Sequence, residues 1–275
     1  MSEAKPFKVG FIGAGGIART HMKYLNMIPG VQVVAATDVV DDNLEKAKRE
    51  YGVQRAYKDY MEMLNAEKEI DAISVCTPNG LHAANTIAAL EAGKHVLVEK
   101  PMAMSAKEGT RMVEAARKAG KQLVVGFQYR FSPQSDLVRD YATNGHLGKI
   151  MYVRCQALRR RGIPNWGVFG RKELQGGGPM IDIGVHIIEA AHYCIGSPRP
   201  VAASGQTWTF HGNKPSKVRS VWPNWDHWQK KMQHFVDVCR DGAPNESSGE
   251  MGLMVQKMLD GVYTSAAGGR EVAID

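Results

Sequence analysis

The chain has 275 residues, 44% of them hydrophobic, enough to bury a full core in one large or two modest domains. A net charge of +7, from 35 basic and 28 acidic residues, favours an anionic small ligand; the one dense basic cluster, Arg159-Arg160-Arg161, lacks interleaved aromatics, which argues against nucleic acid as a partner. Cys76, Cys155, Cys194 and Cys239 are scattered without C-x-x-C spacing, and no signal-peptide pattern or membrane-length apolar run occurs, so a cytoplasmic protein with reduced, mostly buried thiols, no metal and no membrane is expected.

Residues 8–12 predict a strand that runs straight into Gly13-Ala14-Gly15-Gly16-Ile17-Ala18. In this G-x-G-x-x-A order Gly13 allows a tight turn, Gly15 lets backbone approach a pyrophosphate, and Ala18 lets the following helix pack on the strand. The amide end of that helix, with Gly16 and Ile17, would face the phosphates. A second strand at 31–37 ends at Asp38, 25 positions beyond Gly13, where a carboxylate can accept both ribose hydroxyls. No arginine follows immediately, so NAD is expected over NADP; the competing expectation is that Asp38 only caps a helix at 41–50.

A short helix at 60–64 precedes a strand at 71–76, which ends in Thr77-Pro78-Asn79-Gly80-Leu81-His82. A helix at 82–92 and Gly93 then lead into Val96-Leu97-Val98, an apolar run suited to a central parallel strand. Glu99-Lys100-Pro101 ends it, because Pro101 cannot donate to a ladder. Residues at the carboxyl end of such a strand lie where open α/β sheets bind ligands. With a helix at 105–119 and a strand at 122–126, the β-α-β alternation predicts a doubly wound parallel sheet.

Beyond Gly126 the rhythm changes. A helix near 133–144, strands at 149–158 and 201–210, and an irregular stretch at 162–170 are expected. Between them Gly176-Gly177-Gly178-Pro179 opens a helix running to about Cys194, with Asp182 and His186, four apart, on one face. Two amphipathic helices close the chain. The first carries Trp228, Met232, Phe235, Val236 and Cys239 as a core stripe. In the second, Ser247 and Glu250 form a capping box ahead of Met254, Val255, Met258, Leu259 and Val262. The expected domains are 1–127, binding a dinucleotide, and 128–275, with the closing helices packing back towards the first.

The glycine loop, Cys76-Thr77-Pro78-Asn79, His82, Glu99-Lys100-Pro101, and Gly176-Gly177-Gly178 through Asp182-x-x-x-His186 occur in an order that resembles the Gfo/Idh/MocA family. The resemblance implies an α/β Rossmann domain followed by an α+β domain with a mostly antiparallel open sheet. It also implies hydride transfer between NAD(P) and a sugar, polyol or nucleotide-sugar, and assembly into a homo-oligomer, a dimer or tetramer. One departure stands out: residues 211–224 replace several strands found in family members, so the second sheet is expected to be shortened.

Oxidising a carbinol needs a base for the hydroxyl proton and a closely held hydride acceptor. By resemblance to inositol dehydrogenase, His186 takes the proton, Lys100 polarises the same hydroxyl, and Asp182 orients His186 or binds a neighbouring hydroxyl. Lys100 is the other candidate base, because partial burial and a nearby nicotinamide cation would lower its pKa towards neutrality. Thr77, Pro78, Asn79, His82, Glu99, Lys100 and Gln128 are expected beside the cofactor. Arg130, Arg159, Arg161, Asn165 and Trp166 are expected on the substrate wall. Two alternatives stay open: a glycoside hydrolase that recycles NAD, and a non-catalytic dinucleotide-binding sensor.

Overall fold

The computed structural model describes residues 5–158, 167–208 and 227–275. Short, mostly apolar runs form six strands, the first five each leading into a helix with one apolar face. In chain order these are β1 (Phe7–Ile12), α1 (Gly16–Leu25), β2 (Val31–Thr37), α2 (Asp41–Tyr51), β3 (Arg55–Tyr57) and α3 (Tyr60–Ala66). They continue with β4 (Ala72–Val75), α4 (His82–Glu91), β5 (His95–Val98), α5 (Ala106–Ala119) and β6 (Leu123–Val125). The strands make one parallel sheet in the order β3-β2-β1-β4-β5-β6, doubly wound as expected. Only β3, three half-buried residues, was not foreseen.

The second part is mostly helical: α6 (Pro133–Thr143), α7 (Lys172–Gln175), a π turn at Met180–Gly184 leading into α8 (Val185–Cys194), β7 (Ala202–Ala203), α9 (His227–Arg240), α10 (Gly249–Gly268) and β8 (Val272–Ala273). The expected strand at 149–158 does not form: those residues have no regular structure and no strand partner among the described residues. Of the expected strand at 201–210, β7 forms among the described residues and pairs antiparallel with β8. Residues 209–210, the replacing segment 211–224, Arg159, Arg161, Asn165 and Trp166 lie outside the described residues. A ladder needs partners, and among the described residues none reaches 149–158.

Two apolar layers enclose the sheet. On one face Met22 and Leu25 of α1 meet Met232, Phe235 and Val236 of α9. On the other, Met112 and Val113 of α5 meet Val255 and Leu259 of α10. The last two helices thus cover the first sheet. The cap of α10 corrects the expected box: Ser248 is the N-cap, accepting from the Met251 N–H. Ser247 is buried on β6, donating its hydroxyl to the Val125 carbonyl at 2.6 Å. Cys155 is exposed, not buried as the thiols were expected to be.

Candidate active site

The strand order reverses between β1 and β4, which opens a crevice beyond their carboxyl ends. Gly13 turns the chain there with φ +91°, and a Cβ on it would lie 2.7 Å from the Cys76 carbonyl oxygen, so the turn and the β4 end can be this close only with glycine. Gly15 and Gly16 face the opposite situation, with no atom within 4 Å of a Cβ built on either. No side chain caps α1, so its first N–H groups, on Gly16, Ile17 and Ala18, open onto that space.

Asp38 borders the same crevice. Its Oδ2 accepts from the Ala14 N–H at 2.8 Å and from Asn43 Nδ2 at 3.1 Å, and its Oδ1 accepts from the Val40 N–H at 2.8 Å. It therefore braces the glycine loop and does not cap α2, whose N-cap is Val40. A carboxylate has about four acceptor sites, so Oδ1 keeps capacity for a ribose hydroxyl. Gln128 sits in a 3₁₀ turn after β6, and its Oε1 is buried with no hydrogen-bond partner among the described residues. A carboxamide N–H would satisfy it. The open glycine cradle, Asp38 and Gln128 fit a nicotinamide dinucleotide.

Lys100, just beyond β5 and joined to Pro101 by a cis peptide, reaches the π turn. Its Nζ donates to the Asp182 carbonyl at 3.0 Å and to Asp182 Oδ1 at 3.2 Å. π turns are frequent at functional sites. This one is pressed onto α10, because a Cβ on Gly177 would lie 2.6 Å from the Tyr263 hydroxyl, which accepts from the Ile181 N–H. His186 follows on the first turn of α8, buried, its ring edge-on to Tyr129 at 5.1 Å. The three residues expected to carry catalysis thus come from one strand end and one helix start.

Other expected site residues are engaged by protein partners. His82 is buried between two turns, with one ring nitrogen 2.8 Å from the Pro101 carbonyl and the other 2.9 Å from that of Thr77. Burial pushes its pKa down. Asn79 donates to the Gln175 carbonyl at 3.1 Å and Thr77 donates to Asn85 Oδ1 at 2.9 Å, holding the turn that Pro78 begins. Arg130 is a correction to the substrate wall: it is 1% exposed, bonded to Glu189 and the Glu246 carbonyl, and stacked over Tyr193.

Glu99 is the second correction, for it turns inwards. Its Oε1 accepts from Lys231 Nζ at 2.6 Å and lies 3.1 Å from His21 Nε2, while its Oε2 lies 3.3 Å from the Lys100 N–H. The Lys231 ammonium and His21 hold the Glu99 carboxyl well below the usual carboxylate range, against the penalty of burial. The sequence reading assigned His21 no role and passed over Lys231. A signal existed: His21 and Lys231 both interrupt apolar helical stripes, between Ala18 and Leu25 and between Trp228 and Phe235.

This is the frame of the NAD-binding Rossmann oxidoreductases, with the phosphate cradle on α1 and a polar cluster beyond β5. The chain belongs to the GFO/IDH/MocA oxidoreductase family: residues 7–127 match its NAD-binding Rossmann model and residues 136–226 its C-terminal domain model. The D-glucoside 3-dehydrogenase of Escherichia coli (strain K12) is 40% identical over 214 residues, covering 78% of this chain and 61% of the relative. The myo-inositol 2-dehydrogenase of Thermotoga maritima is 32% identical over 189 residues, covering 69% of this chain and 55% of the relative. The chain therefore spans 61% or less of these relatives' lengths. GenD2 from gentamicin A biosynthesis, crystallised with NAD, shares the fold with a TM-score of 0.83 at 19% identity, over 99% of this chain and 97% of that one. Among the described residues no helix is long and apolar enough to cross a membrane.

Proposed function

We propose that this protein is an NAD-dependent dehydrogenase acting on a secondary carbinol of a sugar or polyol, with glucosides as its first candidates. The observation that carries this is the Lys100 ammonium fixed on Asp182 at the carboxyl edge of the sheet, one helical turn before His186. The names of the E. coli and T. maritima relatives support the substrate class. When bound, NAD supplies the hydride acceptor. Lys100 then donates a hydrogen bond to the substrate hydroxyl, and Asp182 holds that ammonium in place. His186 receives the hydroxyl proton as the carbinol is oxidised, and Tyr129 steadies its ring. Proton transfer by a positioned group contributes roughly 10²–10⁴-fold.

In this scheme residues 1–127 hold the cofactor and 128–275 supply the substrate face. Asp38 favours NAD, because a 2′-phosphate beside its carboxylate would be repelled. Cytoplasmic NAD and unpaired thiols suit each other. The test follows NADH formation from NAD over alkyl glucosides, free sugars and inositols, with Lys100→Met in parallel. Turnover on one class, abolished in the variant while NADH still binds, is the expected result. Undiminished turnover in Lys100→Met, or cleaved glycoside without net NADH, would overturn the proposal.

A further inference from the structure

Beneath Lys100 lies a second polar cluster that the chemistry above does not use. Lys231 and His21 are fully buried and Glu99 nearly so. Lys231 reaches Glu99 from α9, 132 residues further along the chain. Its Nζ donates at 2.6 Å to Glu99 Oε1 and lies 3.0 Å from His21 Nε2 and 4.3 Å from the Trp228 ring centre. His21 comes from α1, with Nδ1 3.0 Å from Ser74 Oγ on β4, and Cys76 Sγ lies 3.5 Å from the same hydroxyl. Lys231 donates to Glu99 Oε1 and, when His21 is the Nδ1–H tautomer, to His21 Nε2 as well, with Nδ1–H on Ser74; in the Nε2–H tautomer His21 donates to Glu99 Oε1 beside Lys231. Only Glu99 Oε2 is left to face the Lys100 N–H.

A buried ion pair is a poor source of stability, since apolar replacements of the same volume often do as well. Its value lies in the geometry it imposes. Here that geometry acts on the backbone from which the Lys100 side chain departs. We propose that Lys231 is a positioning residue for Lys100, acting through Glu99: it pins one carboxylate oxygen so that the other holds the Lys100 amide and aims the side chain at Asp182. This rests on the catalytic role given to Lys100 above. It also ties the closing helix α9 to the reaction centre.

The proposal has a proton signature. The groups facing the cluster are Glu99 and Lys100 after β5, Ser74 and Cys76 of β4, His21 of α1, and Lys231 and Trp228 of α9. The cation of Lys231 helps to keep His21 neutral, with a pKa of about 4, burial being the larger cause. In Lys231→Met that cation is gone and His21 is the partner left on Glu99 Oε1: its neutral Nε2–H tautomer donates one hydrogen bond, and a protonated ring adds a charge to that bond. The variant should then hold the Lys100 amide at low pH and hold it more weakly as pH rises and His21 loses its proton, because a charge-assisted hydrogen bond is the stronger one.

The test is hydrogen exchange at the Lys100 amide, with NADH bound, from pH 5.5 to 8.5, alongside the His21 ring resonances. In Lys231→Met the protection factor of that amide should match wild type at pH 5.5 and fall roughly tenfold to a hundredfold by pH 8.5. The ratio of variant to wild-type kcat should fall with it, with little change in NADH affinity. The double variant Glu99→Gln/Lys231→Met removes both charges, so it should fold while losing the pH dependence and keeping weak protection throughout. Wild-type protection at pH 8.5 in the single variant would overturn the proposal. So would a loss of protection independent of pH, which would make Lys231 a packing residue. Turnover surviving in Lys100→Met would instead overturn the catalytic assignment of Lys100, and exchange at its amide reads the Lys231 linkage either way.

Discussion

Lys100 Nζ donates to two atoms of Asp182, the carbonyl oxygen at 3.0 Å and Oδ1 at 3.2 Å, so one residue of the π turn fixes the ammonium through both backbone and side chain. Both groups remain partly accessible, 17% and 19% exposed, as a site that meets substrate must be. Asp182→Asn keeps the carbonyl contact and removes the charge. It should lower kcat by roughly 10²-fold while NADH affinity holds, because the loss falls on orientation at the reacting hydroxyl. Steady-state kinetics beside a fluorescence titration of NADH separates the two.

Asp38, just beyond β2, holds the cofactor cradle by accepting from the Ala14 N–H and is itself fixed by the Val40 N–H and Asn43 Nδ2. Asp38→Ala should weaken NADH binding by roughly 10–100-fold, since it releases the Ala14 N–H as well as losing the ribose contact. Affinity for NADPH should fall much less, and a titration with both dinucleotides reads the change in preference.

Gly13→Ala places a methyl 2.7 Å from the Cys76 carbonyl oxygen at φ +91°. The strain and the clash should cost about 2 kcal/mol or more. Chemical denaturation measures this, and NADH binding should be lost with the turn.

Acid should destabilise the fold before most carboxylates protonate. His21 is neutral in the folded state with a pKa of about 4, and burial pushes His82, His192 and His234 down as well. Between pH 6.5 and 4 the unfolded chain takes up a proton that His21 refuses, so stability falls as pH drops, by about 3 kcal/mol for this ring, and the other three shift it in the same direction. Glu99, held low by its partners, adds to the loss below the ordinary carboxylate range. Glu189, pushed up by burial, works in the opposite sense as one group against several. Urea midpoints from pH 7 to 4 should decline steadily, and a flat profile would refute the neutral histidines.

The chain from 149 to 158 has no strand partner among the described residues and displays Met151, Tyr152 and Leu158 at 78%, 81% and 83% exposure, with Trp208 at 68%. An exposed, apolar, strand-forming segment promotes association. Tyr152→Lys with Trp208→Lys should reduce self-association in light scattering and leave NADH binding unchanged.

The nucleotide-binding half was legible because its signals are local. A strand, a glycine turn and a helix succeed one another within 7–25, and Asp38 closes the next strand, so spacing along the chain decides which groups face the phosphates. The Asp182–His186 spacing on one helix start was legible for the same reason. Side chains at strand ends were different. Glu99, His82 and Arg130 are polar residues beside the site, and the sequence gives no direction to them. Whether each looks into the crevice or into the core depends on what later covers it: Lys231 from α9 for Glu99, the Pro101 turn for His82, Glu189 of α8 for Arg130. The second sheet shows the same limit. Residues 149–158 have the composition of a strand, yet a strand exists only with a neighbour to bond, and that neighbour is supplied by tertiary structure. Local order is written in spacing; burial and pairing are settled only when distant segments meet, because a buried charge or an unbonded backbone is costly until its partner arrives.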